Sequence, residues 1–564
     1  MRIKRFTLFF MALLMIVMSF GACAPKAETP VQTEQPTSQN TTADTPKDST
    51  EDEVAGGYNL PLVDEPVTLV FMNADTQSAG ASFGDGKALS IIEAEKKTGV
   101  KIKWELIPNS EYNDVLNLRL ASRQDLPDII RLKGGQEGTF LAQALDNKTI
   151  IPLNEYIEKY GMGYRRIMEE NPVVRTAVTL PDGSIAGFHK IDATQYAYAA
   201  QMIRQDWLDN LGMAMPTTLD EFLDVAIAFT KNDPDKNGEN DTYGIHCANP
   251  SGNMFEYNQL ASAFGIGLCT GSGWSARDGK ITYEWVLPEA KEYLKWFRKV
   301  VEAGVLPPDY TSVTYPEHDA RVASGKVGLI PRGWPMNIIE WNNPQHSMKI
   351  NQPDARWAVV PALKAENVSL NQARIIKEPT VRRNNALAIT SACKNPEIAY
   401  KWLDWVHYSE EGILLNNCGI EGETYEINGD ELVLLDSDLS TNRPRADGTW
   451  WGREYVELYN DNRIVEAGFK RAGLSLGDNS IQQILANSKY LVEPFYPAIP
   501  SIESGKELTT LLTEIGTYKD EMWVKFCNGS ISIDDKWDEY VDRINQLGLS
   551  RVLEIYQQGY DMVN

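Results

Sequence analysis

The stretch from Val67 to Leu132 constrains this chain most, because two hydrophobic periods alternate within it. Val67–Met72 (VTLVFM) reads as a buried strand, whereas Gly86–Thr98 carries helical spacing that ends at Gly99. Val100–Ile107 reads as a second strand, Glu111–Arg123 as a second helix and Asp128–Leu132 (DIIRL) as a third strand. A β-α-β-α-β run of this kind predicts a largely parallel sheet with right-handed crossovers, and hence an α/β fold. Later helices are clearly punctuated. Thr218, with Glu221 three residues on, forms a capping box that opens Leu219–Phe229. Pro288–Ala303 is amphipathic and closes at Gly304, and Asn395–His407 repeats the pattern.

The residues ahead of this pattern do not share it. Met1–Ala22 opens with Arg2, Lys4 and Arg5, continues as the apolar run Phe6–Met18 and ends in small residues around Phe20, which is the layout of a secretory signal. Small residues just before Cys23 resemble the bacterial lipobox, with Phe20 where that pattern usually has Leu. The resemblance implies cleavage before Cys23 and a diacylglyceryl group on its sulfur, and two acyl chains are enough for stable anchoring. Ala24–Gly57 is rich in Thr, Pro, Gln, Ser, Asp and Glu and nearly lacks large apolar residues, so it reads as a flexible linker with a reach of about 30–35 Å. The expected location is the extracellular face of a cell membrane, held by the lipid alone.

Of 564 residues, roughly 500 remain for folding, more than one core usually serves, so two or more lobes are expected. A hydrophobic content of 43 % with 10 % aromatics is sufficient to fill them. The formal charge of −24 repels phosphate backbones and anionic lipid, which argues against a nucleic-acid partner. Beyond Cys23, the cysteines Cys247, Cys269, Cys393, Cys418 and Cys527 form no CxxC motif, and buried thiols are expected, with Cys247–Cys269 the one conceivable disulfide. The five histidines are scattered without an HExxH, which leaves metal-assisted hydrolysis little support. No Gly-x-Ser-x-Gly or Ser-x-x-Lys motif and no strand-end carboxylate pair stands out either, so no enzyme is expected.

Several segments, taken together, resemble the extracellular solute-binding lipoproteins of bacterial ABC importers, in particular the large oligosaccharide-type family 1 members of Gram-positive bacteria. They are Ile203–Phe222, Asn232–Gly244, Gly304–Ser312, Ala323–Pro335 and Trp537–Asp561. The resemblance implies a two-lobed periplasmic-binding-protein-like fold (type II) with the solute in an inter-lobe cleft. It implies a monomer that hands an oligosaccharide or other polar small solute to ABC permease subunits. A solute-binding sensor for a membrane receptor, or a secreted glycosidase, would share many of these features. Within that frame the first crossing is placed near His189–Ala193, a return to the first lobe near Gly325–Ile330 and a second crossing near Ala386–Ser391. The lobes would then comprise 59–190 with 325–388, and 191–324 with 389–564, behind a signal peptide (1–22) and linker (23–58).

Two sets of residues could carry chemistry. Asp233, Asp235, Asn237, Glu239 and Asp241 place oxygens at alternating positions of an EF-hand-like loop, with Gly238 at the turn, as a Ca²⁺ ion wanting 6–8 oxygens requires. Gly244 stands where that motif has its bidentate Glu, so the expectation is a structural Ca²⁺ loop and not a switch, with no helix obviously preceding it in register. The second set follows from strand ends, where open α/β sheets bind ligands. Asn73 and Asp75 follow the first strand, Gly135 and Gln136 the third, and Tyr196 and Tyr198 the first crossing. Trp274, Trp334 and Trp450 lie at segment ends, where a flat aromatic face suits a pyranose ring. Arg204 completes the set, with a plain ion pair to Asp206 or Asp209 as its alternative. Trp296, Trp402 and Trp405 fall in amphipathic helices and are assigned to core.

Overall fold

The computed structural model describes residues 58–75, 89–133, 140–194, 200–250, 253–254, 256–267, 273–333, 338, 341–342, 347–376, 380–435, 459–460, 462–471, 479–492, 495 and 501–562. In chain order the strands are β1 (Val67–Asp75), β2 (Val100–Pro108), β3 (Ile129–Lys133), β4 (Phe188–Asp192), β5 (Ala200–Arg204), β6 (Tyr243–Ile245), β7 (Trp274–Arg277) and β8 (Lys280–Tyr283). They continue with β9 (Val327–Gly333), β10 (Trp357–Val359), β11 (Ile375–Ile376), β12 (Val381–Ile389), β13 (Tyr425–Asn428), β14 (Glu431–Leu434), β15 (Tyr459–Asn460) and β16 (Leu491–Val492).

Two sheets organise the molecule. The first runs β15-β4-β12-β3-β1-β2 and the second β10-β5-β9-β6. The predicted opening is present: β1 pairs parallel with β2 and β3, and helices Leu89–Thr98 and Tyr112–Ser122 connect them. Period two decides which face each side chain takes. Leu69 and Phe71 enter one apolar cluster while Met72 and Ala74 enter another, and on β12 Leu387 and Ile389 alternate with Ala386 and Ala388 in the same way. Both faces are therefore buried over Leu69–Met72, which explains the apolar run LVFM in β1. Helix Pro396–Tyr408 covers one face, with Trp402 and Trp405 in the core as assigned.

The second sheet has its own core, which includes Trp207, Phe222, Phe229 and Trp285 together with Trp523 and Tyr540 from the C-terminal helices. Helix Leu219–Lys231 starts where the capping box places it. Glu221 N–H donates to Thr218 Oγ1 at 3.2 Å and Thr218 N–H to Glu221 Oε2 at 3.1 Å, a reciprocal cap that contributes about 1 kcal/mol. Trp296 sits in this core on helix Pro288–Glu302.

The order of crossings differs from the sequence expectation. The chain leaves the first sheet after β4 and enters the second at β5, close to the expected point. Gly325–Ile330, however, does not return to the first lobe. β9 pairs antiparallel with β5 and parallel with β6, in the middle of the second sheet. The return comes at β12, which is antiparallel to both β3 and β4. Helices Pro396–Tyr408 and Glu410–Asn417 then stay with the first sheet, and β15 pairs with β4, so 389–435 and 459–460 also fall to the first lobe. The chain enters the second lobe again by helix Asn479–Asn487, whose Asn487 holds the segment after β10.

Candidate functional site at the crossing edge

Strand direction locates one edge on each sheet. In the first, β1, β2, β3, β4 and β15 run one way and β12 the other, so their carboxyl ends and the amino end of β12 share an edge. In the second, β6, β9 and β10 end where β5 begins. Among the described residues, the connections between the sheets start and end at these edges: from β4 to β5, from β10 to β12, and onward from β15 to helix Asn479–Asn487. The crossing strands also lie side by side. On leaving the first sheet, Asp192 N–H donates to Thr380 O at 2.9 Å and Ala193 N–H to Asn460 O at 2.8 Å. At the second sheet, Val360 N–H donates to Gln201 O at 2.8 Å, Ala362 N–H to Asn487 Oδ1 at 2.8 Å and Asn487 Nδ2 to Val360 O at 3.1 Å. Connections that leave two sheets side by side allow the sheets to turn about them, and open α/β sheets bind ligands beyond their carboxyl ends.

Polar groups are buried along this edge. Asn73 is fully buried at the end of β1, where its Oδ1 accepts from Ala74 N–H at 2.8 Å and Arg131 Nη1 at 3.4 Å. Asp192 Oδ1 takes Thr194 Oγ1 at 2.6 Å and Thr194 N–H at 3.1 Å, which fixes the start of the first crossing. Asn460 Oδ1 is buried with no hydrogen-bond partner among the described residues. On the second lobe, Arg332 near the end of β9 pairs with Glu256 at 2.7 Å, and Tyr315 Oη donates to the same carboxylate at 3.1 Å. These are donors and acceptors suited to neutral hydroxyls, and no pair of carboxylates is poised for acid–base work among them. The sequence reading missed Arg131, Glu256, Arg332 and Asn460. The only signal of Arg131, Arg332 and Asn460 was position near a strand end, which many surface residues share, and Glu256, ahead of the turn Tyr257–Phe264, carried none.

The expected ligand contacts divide three ways. Asn73 is at the edge, and Asp75 ends β1 with its side chain outside the described residues. Gly135, Gln136, Tyr196, Tyr198, Trp334 and Trp450 lie outside the described residues, as does Cys23. Arg204 and Trp274 are corrections. Arg204 ends β5 and therefore stands at the opposite edge from Gly333. Its guanidinium is spent on Asp206 at 2.9 and 2.6 Å and on Gln352 at 2.9 Å, and lies 4.7 Å from the Trp207 ring centre. Trp274 is 3 % exposed, packed between Tyr283 at 4.4 Å and Tyr556 at 5.1 Å, because the β7–β8 hairpin turns it into the second core.

The acidic loop begins directly after helix Leu219–Lys231, so a helix does precede it, contrary to expectation, while a strand, β6, follows. Asp233 accepts from Asn237 N–H at 2.9 Å and Gly238 N–H at 3.0 Å, and Asn237 Nδ2 reaches Asp235 Oδ2 at 3.0 Å. Asp235 Oδ1 is buried without a hydrogen-bond partner, and burial together with the adjacent Asp233 raises its carboxyl above the usual range. Asp241 pairs with Lys326, which lowers its own. Among the described residues no group of three or more His, Cys, Asp or Glu side chains converges as metal ligands. Cys247, Cys393 and Cys527 are free thiols.

A two-sheet molecule with paired crossings at matching edges has known counterparts. Residues 80–410 match the family of bacterial extracellular solute-binding proteins. The chain belongs to that family. The fructooligosaccharide ABC transporter substrate-binding protein FusA of Streptococcus pneumoniae is 27 % identical over 530 residues, 91 % of this chain and 93 % of that protein. The structure of FusA in complex with kestose superposes with a TM-score of 0.67 at 25 % identity, over 88 % of this chain and 99 % of the other. The polygalacturonan/rhamnogalacturonan-binding protein YtcQ of Bacillus subtilis is 28 % identical over 487 residues, 84 % of this chain and 88 % of its own. An extracellular solute-binding protein from Bifidobacterium longum subsp. infantis has the same fold, with a TM-score of 0.69 at 20 % identity over 88 % and 98 % of the two chains. The family's two-lobed architecture is the one built here by the β4–β5, β10–β12 and post-β15 connections.

Proposed function

We propose that this extracellular solute-binding protein captures an oligosaccharide between its lobes and delivers it, as a monomer, to the permease of an ABC transporter, without catalysing a reaction. The observation that carries the reading is the set of three connections hydrogen-bonded to one another at the carboxyl-end edges, with buried amides there and a neutralised Arg332–Glu256 pair near the end of β9. Relatives spanning most of the chain are named for saccharides, FusA for fructooligosaccharide and YtcQ for polygalacturonan and rhamnogalacturonan, which supports the ligand class. Binding is non-covalent. Aromatic faces stack on sugar rings, side-chain amides and hydroxyls replace water at the sugar hydroxyls, and the gain is largest when both lobes touch the ligand. Asn73, Asp75, Gly135, Gln136, Tyr196, Tyr198, Trp334 and Trp450 are the proposed contacts, with Arg131 and Arg332 added at the strand ends. Cys23 is the proposed lipid anchor, holding the body within a linker's reach of the membrane.

The acidic loop is proposed to hold a structural Ca²⁺ through Asp233, Asp235, Asn237 and the Glu239 carbonyl. The orphaned buried oxygen of Asp235 fits a cation, and Asp241, whose Oδ2 pairs with Lys326, keeps Oδ1 on the loop side toward Asn237. A FusA variant is itself described as an EF-hand mutant. Thermal melts of the mature chain against a glycan panel test both ideas, since native-state ligands raise Tm by mass action. A neutral or acidic oligosaccharide should raise Tm and be recovered intact, and cleavage of any glycan would refute a pure binder. Chelator should lower Tm by several degrees and added Ca²⁺ restore it. An unchanged melt would remove the metal.

A further inference from the structure

A cavity of about 600 Å³ opens beside the second crossing segment, between Phe264–Gly265, the stretch 367–374 and Lys489–Val492. Its size falls within the ~300–1,000 Å³ of small-molecule sites. Three cations, Arg277, Arg374 and Lys489, line it against one carboxylate, Glu289, in a chain that is otherwise strongly acidic. Beneath it lies Glu284, fully buried. Arg277 Nε and Nη2 both reach Glu284 Oε1, at 3.0 and 2.9 Å, Nη2 also reaches Gly265 O at 2.9 Å, and Ser275 Oγ donates to the same Glu284 oxygen. Arg277 therefore already matches the one buried charge.

Arg374 is left over. Its Nε stands 4.0 Å from Glu284 Oε1 and is buried without a hydrogen-bond partner, and its side chain makes no hydrogen bond among the described residues. It lies against the bare backbone of Gly267, where a Cβ would come within 2.7 Å of Nε. Burial lowers its pKa, yet a guanidinium stays charged in proteins. Its charge is offset only in part, by Glu284, which Arg277 already engages, and by Asp278, so a half-buried guanidinium with an unsatisfied Nε gains from an arriving anion. Lys489 sits exposed at the rim, with no ion pair among the described residues.

The geometry points to this cavity as a subsite for the carboxylate of an acidic sugar unit. A guanidinium fork accepts a carboxylate bidentately, the rim ammonium adds charge, and the carboxamides of Asn367, Asn371 and Gln372 suit ring hydroxyls. The cavity has room for more than a bare ion. It lies beside the short β11–β16 pair, on the segment that carries the chain from β10 back to the first lobe. The inference rests on the reading of the chain as a saccharide binder and adds the charge of one sugar residue.

Calorimetry on the mature chain decides it, with trigalacturonate as probe, neutral galactotriose as its uncharged counterpart and acetate as a free carboxylate. Trigalacturonate should bind at least about tenfold more tightly than galactotriose, and more weakly as salt rises. Arg374→Gln and Lys489→Ala should each weaken it about tenfold, with galactotriose unaffected. Lys489 is exposed, so Lys489→Ala keeps the test valid even if Arg374→Gln disturbs folding. Equal binding of the charged and neutral trisaccharides, or no loss in the variants, would overturn the carboxylate assignment. Acetate binding as tightly as trigalacturonate would overturn its sugar part. A glycan panel that yields a neutral ligand but no uronate would sink this inference and leave the solute-binding reading intact.

Discussion

At the scale of single residues, burial separates binding groups from structural ones. Arg204 falls in a segment shared with the family, yet its side chain is only 5 % exposed and paired with Asp206, 12 % exposed, at the edge away from the hinge. Breaking a buried pair strands the partner charge, so Arg204→Ala should lose about 3 kcal/mol in a denaturant titration. Saccharide affinity should stay within about twofold, as expected of a group that touches no ligand; a selective loss of affinity would return Arg204 to the site. Three histidines set an acid limit. Burial, then the neighbouring His318 and Arg321, holds His246 down to about 3, with Asp309 pulling the other way. Burial and Arg321 hold His318 at about 4, and burial and Arg131 hold His407 at about 3. All three are neutral when folded but would titrate near 6.5 when unfolded, so the unfolded chain binds more protons below that pH. Their contribution is complete above about pH 6.5 and is lost as pH falls toward 4, by up to about 4 kcal/mol per unit near pH 5 for the three together. Urea midpoints at pH 6.5 and 5.0 check the sign, and His407→Phe should flatten the slope by about a third. Equal midpoints would mean these imidazoles are not held neutral.

Elements show where sequence reading is strong and where it stops. The β1–β3 opening, the Thr218 capping box and the core tryptophans of helices Pro288–Glu302 and Pro396–Tyr408 were legible because period and capping are local properties. The partner of a buried strand is not local. Val327–Ile330 (VGLI) is apolar on both faces and would suit the middle of either sheet, so nothing in it announces that β9 lies beside β5. Trp274 misled for a related reason: a Gly/Ser-rich approach looks like a loop, yet the hairpin it opens turns the ring inward. The helix before the acidic loop was visible as a helix, but the run to Lys231 that brings it against Asp233 was longer than the reading allowed. That helix also offers a test. A Cβ on Gly244 would lie 2.1 Å from Ala226 O and 2.8 Å from Thr230 Oγ1, so β6 needs glycine to approach the helix. Gly244→Ala should cost about 2–3 kcal/mol, read from a denaturant midpoint, and any Ca²⁺-dependent rise in Tm should shrink, because the loop spans the displaced pair. A neutral substitution would show that strand and helix can part without loss.

For the whole molecule, closure about three crossings should be visible in solution. Small-angle scattering of the mature chain should report a smaller radius of gyration with saturating saccharide than without, and an unchanged profile would argue for a binder that does not hinge. The same interleaving shapes how the chain can assemble. The first core draws on residues from Leu69 to Leu415, whereas the second begins at Ala200 and is completed only by Tyr556. A chain released from its amino end can close the first lobe while residues 200–365 of the second still lack Trp523, Tyr540 and their neighbours. The early part of the second lobe must therefore wait, partly formed and apolar, while the roughly 120 residues between Ala365 and Ile484 are made, and then for the C-terminal helices. Its vulnerability to aggregation and proteolysis is thus greatest during synthesis and release, and ends only when the final helices arrive.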